Sequence, residues 1–133
     1  MEISSSWRLL GRFADRCGMI KNVAKGTMLA MEYAWCGSLF SRIKGLMFAR
    51  HPKALIMAFP KEQKVGIHMM FVFFPIDALW LDLEQKVVAV REELKPWTTA
   101  APSEEAKYVV ELPSGAVKAS GTCIGDRLAW TKL

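Results

Sequence analysis

Residues 66–83 read GIHMMFVFFPIDALWLDL, and this stretch decides the fold. It holds two apolar runs, Gly66–Phe74 and Ile76–Leu83, parted by Pro75. Runs this short, rich in aromatic and β-branched residues, favour strands over helices. In the second run Ile76, Ala78, Trp80 and Asp82 alternate with Asp77, Leu79, Leu81 and Leu83. A period of two is the signature of a strand. The same stretch argues against a membrane span. Val65–Ile76 is the longest segment without a formal charge, and extended to Leu81 it still falls short of the roughly 20 residues a spanning helix needs.

Downstream, Glu84-Gln85 makes a tight hairpin into Lys86–Arg91. Leu94–Ser103 reads as a loop punctuated by Pro96 and Pro102. In Lys107–Leu112, Tyr108, Val110 and Leu112 alternate with Val109 and Glu111. Pro113-Ser114-Gly115 then turns into a short helix over residues 114–120, with Ser114 placed to cap it. Gly121 and Gly125 bracket a turn, and Asp126 precedes a last strand, Arg127–Thr131.

Upstream, Ala54–Phe59 is a buried run, followed by a charged turn from Pro60 to Gly66. Ser38 opens a helix that puts Leu39, Ile43, Leu46 and Met47 on one face, and His51-Pro52 ends it. Thr27–Trp35 is β-compatible. Residues 1–18 stand apart: Trp7, Leu10, Phe13, Ala14 and Cys17 share one helical face, and Arg8, Arg12 and Arg16 another. They form a basic amphipathic extension, or an appendage preceding a natural start at Met19. Residues 19–133 form a single β-rich domain. The expected class is α+β: a small barrel-like, mostly antiparallel sheet with two or three short helices.

Composition sets the outer bounds. The chain has 133 residues, 52% of them hydrophobic, which is enough for one domain with a real core. The net charge of +5 is unevenly spread: residues 1–53 carry nine basic and three acidic side chains. Such a patch suits an anionic partner or a solvated surface. Three widely spaced cysteines, Cys17, Cys36 and Cys123, with no CxxC, suit a reducing, cytoplasmic setting.

Motifs for chemistry are sparse. His51 and His68 are the only histidines and sit in no metal-binding frame, so no metal and no cofactor are expected. His68 beside Met69 and Met70 resembles a soft-ion cluster, and equally a strand histidine among core methionines. Ser114-Gly115 after a strand has the shape of a nucleophile elbow, or simply a helix cap. Asp77, inside an apolar run, is either a carboxylate with a shifted pKa or a hub for backbone N–H groups. Trp97, in the polar Lys95-Pro96-Trp97 loop, is placed for stacking, for an interface or as a lid.

An ordered set of short pieces adds a family. Arg42-Ile43-Lys44-Gly45-Leu46-Met47-Phe48, Ile67-His68-Met69, Pro75-Ile76-Asp77 with Leu81-Asp82, Tyr108 through Gly115, and Gly125-Asp126 follow one another over about Met19–Trp130. Together they resemble the domain-of-unknown-function family numbered 192, in its archaeal form. The bacterial pattern usually reads Trp-Met-Lys-Asn-Thr where this chain has His68-Met69-Met70-Phe71-Val72, so its most catalytic-looking pair is missing. The resemblance implies a compact β-rich, barrel-like fold and brings no established reaction.

The function expected from these readings is a small cytoplasmic module that binds a ligand or a protein partner. His68, Asp77, Lys95, Trp97, Tyr108 and Glu111 are its candidate lining, and Gly45, Pro75, Gly115, Gly125 and Asp126 its structural turns. One alternative is a small enzyme with Asp77 or His68 as general base. Another is nucleic-acid binding through basic residues 19–53.

Overall fold

Ile76–Leu81 is buried at all six positions, on both sides of the strand. A strand of that kind belongs inside a sheet that is covered on both faces. The computed structural model describes residues 18–131 and shows that sheet. The strands are β1 (Ile20–Asn22), β2 (Thr27–Ala30), β3 (Ala34–Cys36), β4 (Leu55–Lys64), β5 (Ile67–His68), β6 (Ile76–Leu81), β7 (Val87–Leu94), β8 (Thr99–Ala100), β9 (Glu105–Pro113) and β10 (Leu128–Trp130). Two short helices, α1 (Leu39–Lys44) and α2 (Ala116–Ser120), complete the described residues.

The main sheet has the order β3-β4-β9-β6-β7, flanked by a three-stranded sheet β10-β1-β2 and a two-stranded ribbon β5-β8. All pairings are antiparallel except β3 with β4. The α+β, β-rich expectation therefore holds, but the barrel does not close. β3 and β7 are the two edges of the main sheet and do not pair with each other. The flanking sheets cover its faces instead of joining its ends.

Strand parity assigns the two faces. Leu55, Met57, Ala78, Trp80 and Val109 face one core, which is completed by Leu46, Val65, Ile67, Met69 and Val72. Ile56, Leu79, Leu81, Val110 and Leu112 face the other, packed under Ile20, Leu29 and Leu128 of the small sheet and Val117 of α2. Trp80 anchors the first core by donating its indole N–H to the Val65 carbonyl at 2.8 Å. On the far side Asp126 accepts from Asn22 Nδ2 at 3.0 Å, Lys25 Nζ at 2.7 Å and Cys123 N–H at 3.0 Å. Asn22, then Lys25 and the Cys123 N–H, hold that carboxyl well below the usual carboxylate range. The network ties the β1–β2 turn to the turn before β10.

Several local expectations are corrected. Gly66–Phe74 is not one strand: only Ile67–His68 pairs, and the chain then turns through Phe71 at φ 59°. The Met69 carbonyl there accepts from Val72 N–H and Trp97 N–H, which diverts the backbone from a ladder. Thr27–Trp35 breaks into β2 and β3 around Tyr33, whose side chain is buried. The helix from Ser38 ends at Gly45, whose φ of 46° favours a residue without Cβ, so His51 is not a helix-end residue. β4 runs through the expected charged turn to Lys64, with its register shifted between Ala58 and Gln63 around Pro60, which has no N–H to donate. The expected 94–103 loop contains β8. The basic extension expected at 1–18 lies outside the described residues except for Gly18.

Ser114 is not the cap of α2. That position falls to Gly115, at φ 98°, with no side-chain cap of its own. The orphan N–H groups of Gly115 and Val117 are bound instead by Asp77 Oδ2, at 3.0 and 2.9 Å. Ser114→Ala is therefore expected to change stability by less than about 0.5 kcal/mol in urea denaturation, against about 1 kcal/mol for a true capping serine.

Candidate functional site

β9 is the middle strand of the main sheet, and Glu111 sits on it between Leu55 of β4 and Ala78 of β6. Parity places Glu111 on the face of Val109, toward the first core. Its side chain is buried, at 5% exposure. Among the described residues its carboxyl makes no hydrogen bond or ion pair. Burial alone pushes its pKa up from 4.5 to about 7, because desolvation penalises the charged form.

The carboxyl faces a half-open cavity of about 440 Å³. That is within the usual range for small-molecule sites. The walls are apolar and come from Leu39 and Ile43 of α1, Met57 and Phe59 of β4, and Val65, Ile67 and Val72. Gly45, where α1 ends, crosses over the acid: a Cβ added there would lie 3.9 Å from Glu111 Oε1. α1 buries none of its own residues, because its apolar side faces the open cavity. Ser38 and Ser41 close a capping box at its start. Arg42 ties it to β4: Nη1 donates to the Gly37 and Ala58 carbonyls at 2.7 and 3.1 Å, and the guanidinium lies 4.8 Å above the Phe59 ring.

His68 lines the same cavity and is half-buried. Its Nδ1 accepts from Met70 N–H at 3.2 Å. In the neutral imidazole that leaves the proton on Nε2. The site thus offers an acid that exchanges its proton near neutrality, an imidazole and a guanidinium inside an apolar shell.

Of the sequence candidates, the structure brings His68 and Glu111 together and sends the other four elsewhere. Asp77 is on the opposite face of the sheet, paired with Leu112, and its oxygens hold the N–H groups of Glu93, Gly115 and Val117. It lines no cavity with His68, so the two do not form an acid–base pair. Tyr108 packs on that opposite face with Trp130, ring centroids 5.0 Å apart. Lys95 borders a second, shallow depression with Pro75, Glu93 and Ser114. Trp97 is an exposed member of an aromatic cluster. Sequence reasoning missed the role of α1: the Leu39–Ile43 spacing was legible, but not that the face it defines meets a cavity. Among the described residues no group of three His, Cys, Asp or Glu side chains is arranged to hold a metal. No described helix is long and apolar enough to cross a membrane.

Fold and site together define an α+β domain with a half-open, acid-floored cavity on one face of a five-stranded sheet. The chain belongs to the DUF192 family, described as "Uncharacterized ACR", which it matches over residues 20–130. It is 34% identical over 114 residues to a UPF0127 protein of Pyrococcus furiosus, covering 84% of this chain and 97% of that one. A UPF0127 protein of Pyrococcus horikoshii is 33% identical over 114 residues, covering 84% and 98%. Among solved structures, a protein from Sinorhizobium meliloti, described as a proposed transcription regulator, superposes with a TM-score of 0.79 at 23% identity, covering 89% of this chain and 95% of that one. A protein of unknown function from Novosphingobium aromaticivorans gives 0.72 at 15% identity, covering 89% and 85%. At these identities the structural likeness speaks for the fold alone.

Proposed function

We propose that this chain is a small-ligand-binding module whose ligand enters the cavity between α1 and the main sheet. One observation carries the reading: the buried Glu111 carboxyl, without a partner among the described residues, faces an apolar space large enough for a small molecule. A buried polar group left unbonded costs about 1–3 kcal/mol, and a ligand that bonds it recovers this. The ligand class follows from the walls: an apolar body with a hydrogen-bond-donating head, an amine or a hydroxyl, directed at Glu111. His68 and Arg42 then contact its outer end. The family match from residue 20 supports reading residues 1–18 as an extension of the binding domain. Three widely spaced cysteines with no CxxC pair support a cytoplasmic setting.

Isothermal titration of the full chain with n-octylamine and n-octanol tests the proposal. Saturable binding of at least one probe is expected, weakened about tenfold or more in Glu111→Gln, as for loss of a hydrogen bond to a charged or acidic group. Equal affinity in the two proteins, or no binding of either probe, would overturn it.

A further inference from the structure

Three aromatic residues hold backbone conformations that side chains disfavour. Phe48, Phe71 and Trp97 have φ of 64°, 59° and 66°. The left-handed region costs an ordinary residue roughly 1–2 kcal/mol. All three belong to one ring cluster. Phe48 stacks on Phe71 with centroids 4.9 Å apart, Phe71 meets Trp97 edge-on at 5.0 Å, and Phe73 touches Phe48 and Trp97 at 6.5 Å. Short backbone bonds lock the turns together: Phe48 N–H to the Phe71 carbonyl and Trp97 N–H to the Met69 carbonyl, both at 2.8 Å. Yet the cluster is not a core. Phe48, Phe73 and Trp97 are 61%, 57% and 55% exposed, and the adjacent Met70 is 47% exposed. Strain held at a surface cluster of this kind points to function, since folding alone gains little from it.

Charge narrows the partner. The segments that build the platform, residues 39–53, 67–75 and 95–98, contain Arg42, Lys44, Arg50, Lys53 and Lys95 and no Asp or Glu. Arg42 donates to carbonyl groups and Glu93 shares the depression beside Lys95, but Lys44, Arg50 and Lys53 are exposed and make no ion pair among the described residues. The complementary surface is therefore negative. A single-stranded nucleic acid would need free ring faces for its bases. Here Phe48 and Phe71 cover one another, Trp97 contacts both Phe71 and Phe73 edge-on, and Met70 has no ring. Fused apolar side chains with basic residues on the same segments match the acyl–headgroup boundary of a bilayer.

We infer that the Phe48–Phe71–Phe73–Trp97 platform docks on anionic lipid surfaces, with the rings entering the headgroup boundary and Lys44, Arg50 and Lys53 meeting the phosphates. This is independent of what the cavity binds.

Cosedimentation of the full chain tests it, with vesicles of phosphatidylcholine alone and of an equimolar mixture with phosphatidylglycerol. The protein is expected to partition to the mixed vesicles, to fall back with added salt, and to bind the neutral ones weakly. Phe73→Ser and Trp97→Asn are each expected to lower the partition coefficient about tenfold, as for loss of a half-buried ring. Asparagine tolerates the left-handed backbone, so an unchanged urea midpoint for Trp97→Asn keeps folding out of the result. Equal partition of the variants and the parent would overturn the inference, and so would absence of binding to mixed vesicles. Tight binding of oligothymidylate without vesicle binding would replace lipid by nucleic acid. Dimerisation abolished by Phe73→Ser, again without vesicle binding, would replace it by a second copy of the chain.

Discussion

Asp77→Ala is expected to destabilise the protein by about 4 kcal/mol, because its carboxylate serves three backbone N–H groups. Glu93 N–H donates to Oδ1 at 2.9 Å, and Gly115 and Val117 N–H donate to Oδ2 at 3.0 and 2.9 Å. Asp77 is fully buried, so water does not replace the lost acceptor. Two positive-φ turns lose their clamp as well: Glu93 sits strained at φ 53°, and Gly115 at φ 98°. Asp77→Asn keeps one acceptor oxygen and turns an NH₂ toward either Glu93 or α2. Its cost is expected to be about half as large. Natural domains of this size are stable by roughly 5–15 kcal/mol, so the alanine variant approaches the limit of folding. Urea midpoints for the two variants measure this. An alanine variant within about 1 kcal/mol of the parent would show that the carboxylate is not a structural hub.

Glu111→Gln should work in the opposite direction, increasingly as pH rises from about 4.5 to about 7. Burial raises the Glu111 carboxyl from 4.5 to about 7 in the folded protein. The folded state therefore keeps this proton over a range of pH in which the unfolded chain has released it. Its stabilising contribution is complete below about pH 4.5 and is lost as pH rises through about 7. At pH 8 the ionised, buried carboxylate costs about 3 kcal/mol relative to the acid form. Glutamine keeps the shape and removes the charge. It should match the parent near pH 4.5 and exceed it by about 2–3 kcal/mol at pH 8. Asp126 does not confuse the comparison: its carboxyl is held low, so its contribution is lost only on strong acidification. Urea denaturation of both proteins across this range decides the matter, and parallel pH profiles would show that Glu111 is not held neutral by burial. A residue that lowers stability at neutral pH, and whose amide would not, is more readily understood as part of a binding site than of a core.

These two acids also show how far the sequence reaches. Asp77 stands out because a charge inside Ile76–Leu83 has to be satisfied or functional, and the hub is one of those two readings. Its partners were not legible, since the N–H groups of Glu93, Gly115 and Val117 arrive by tertiary packing. Glu111 alternates correctly with Tyr108, Val110 and Leu112. Alternation does not reveal that both faces of β9 are covered, nor that one of them borders a cavity. The Gly66–Phe74 run shows the opposite difficulty. Its apolar content reads as buried strand, yet residues 69–74 turn, burying Met69 and Val72 while exposing Met70 and Phe73. No local pattern marks Phe48, Phe71 or Trp97 for left-handed backbone, since glycine and asparagine are the usual occupants. The open sheet has a similar origin: strand count and spacing suit a barrel, but closure depends on whether β3 and β7 meet.

The order β3-β4-β9-β6-β7 carries a consequence for synthesis of the chain. The central strand, β9, is made after both strands it separates. As the chain leaves the ribosome, β4 and β6 emerge with their apolar faces ready and the strand that must lie between them still untranslated. The contacts that define the sheet are long in sequence, and their loops must close before they stabilise anything. A nascent chain that stalls before Glu105 therefore exposes two unpaired, strongly apolar edges at once, the condition under which strands pair with the wrong partner.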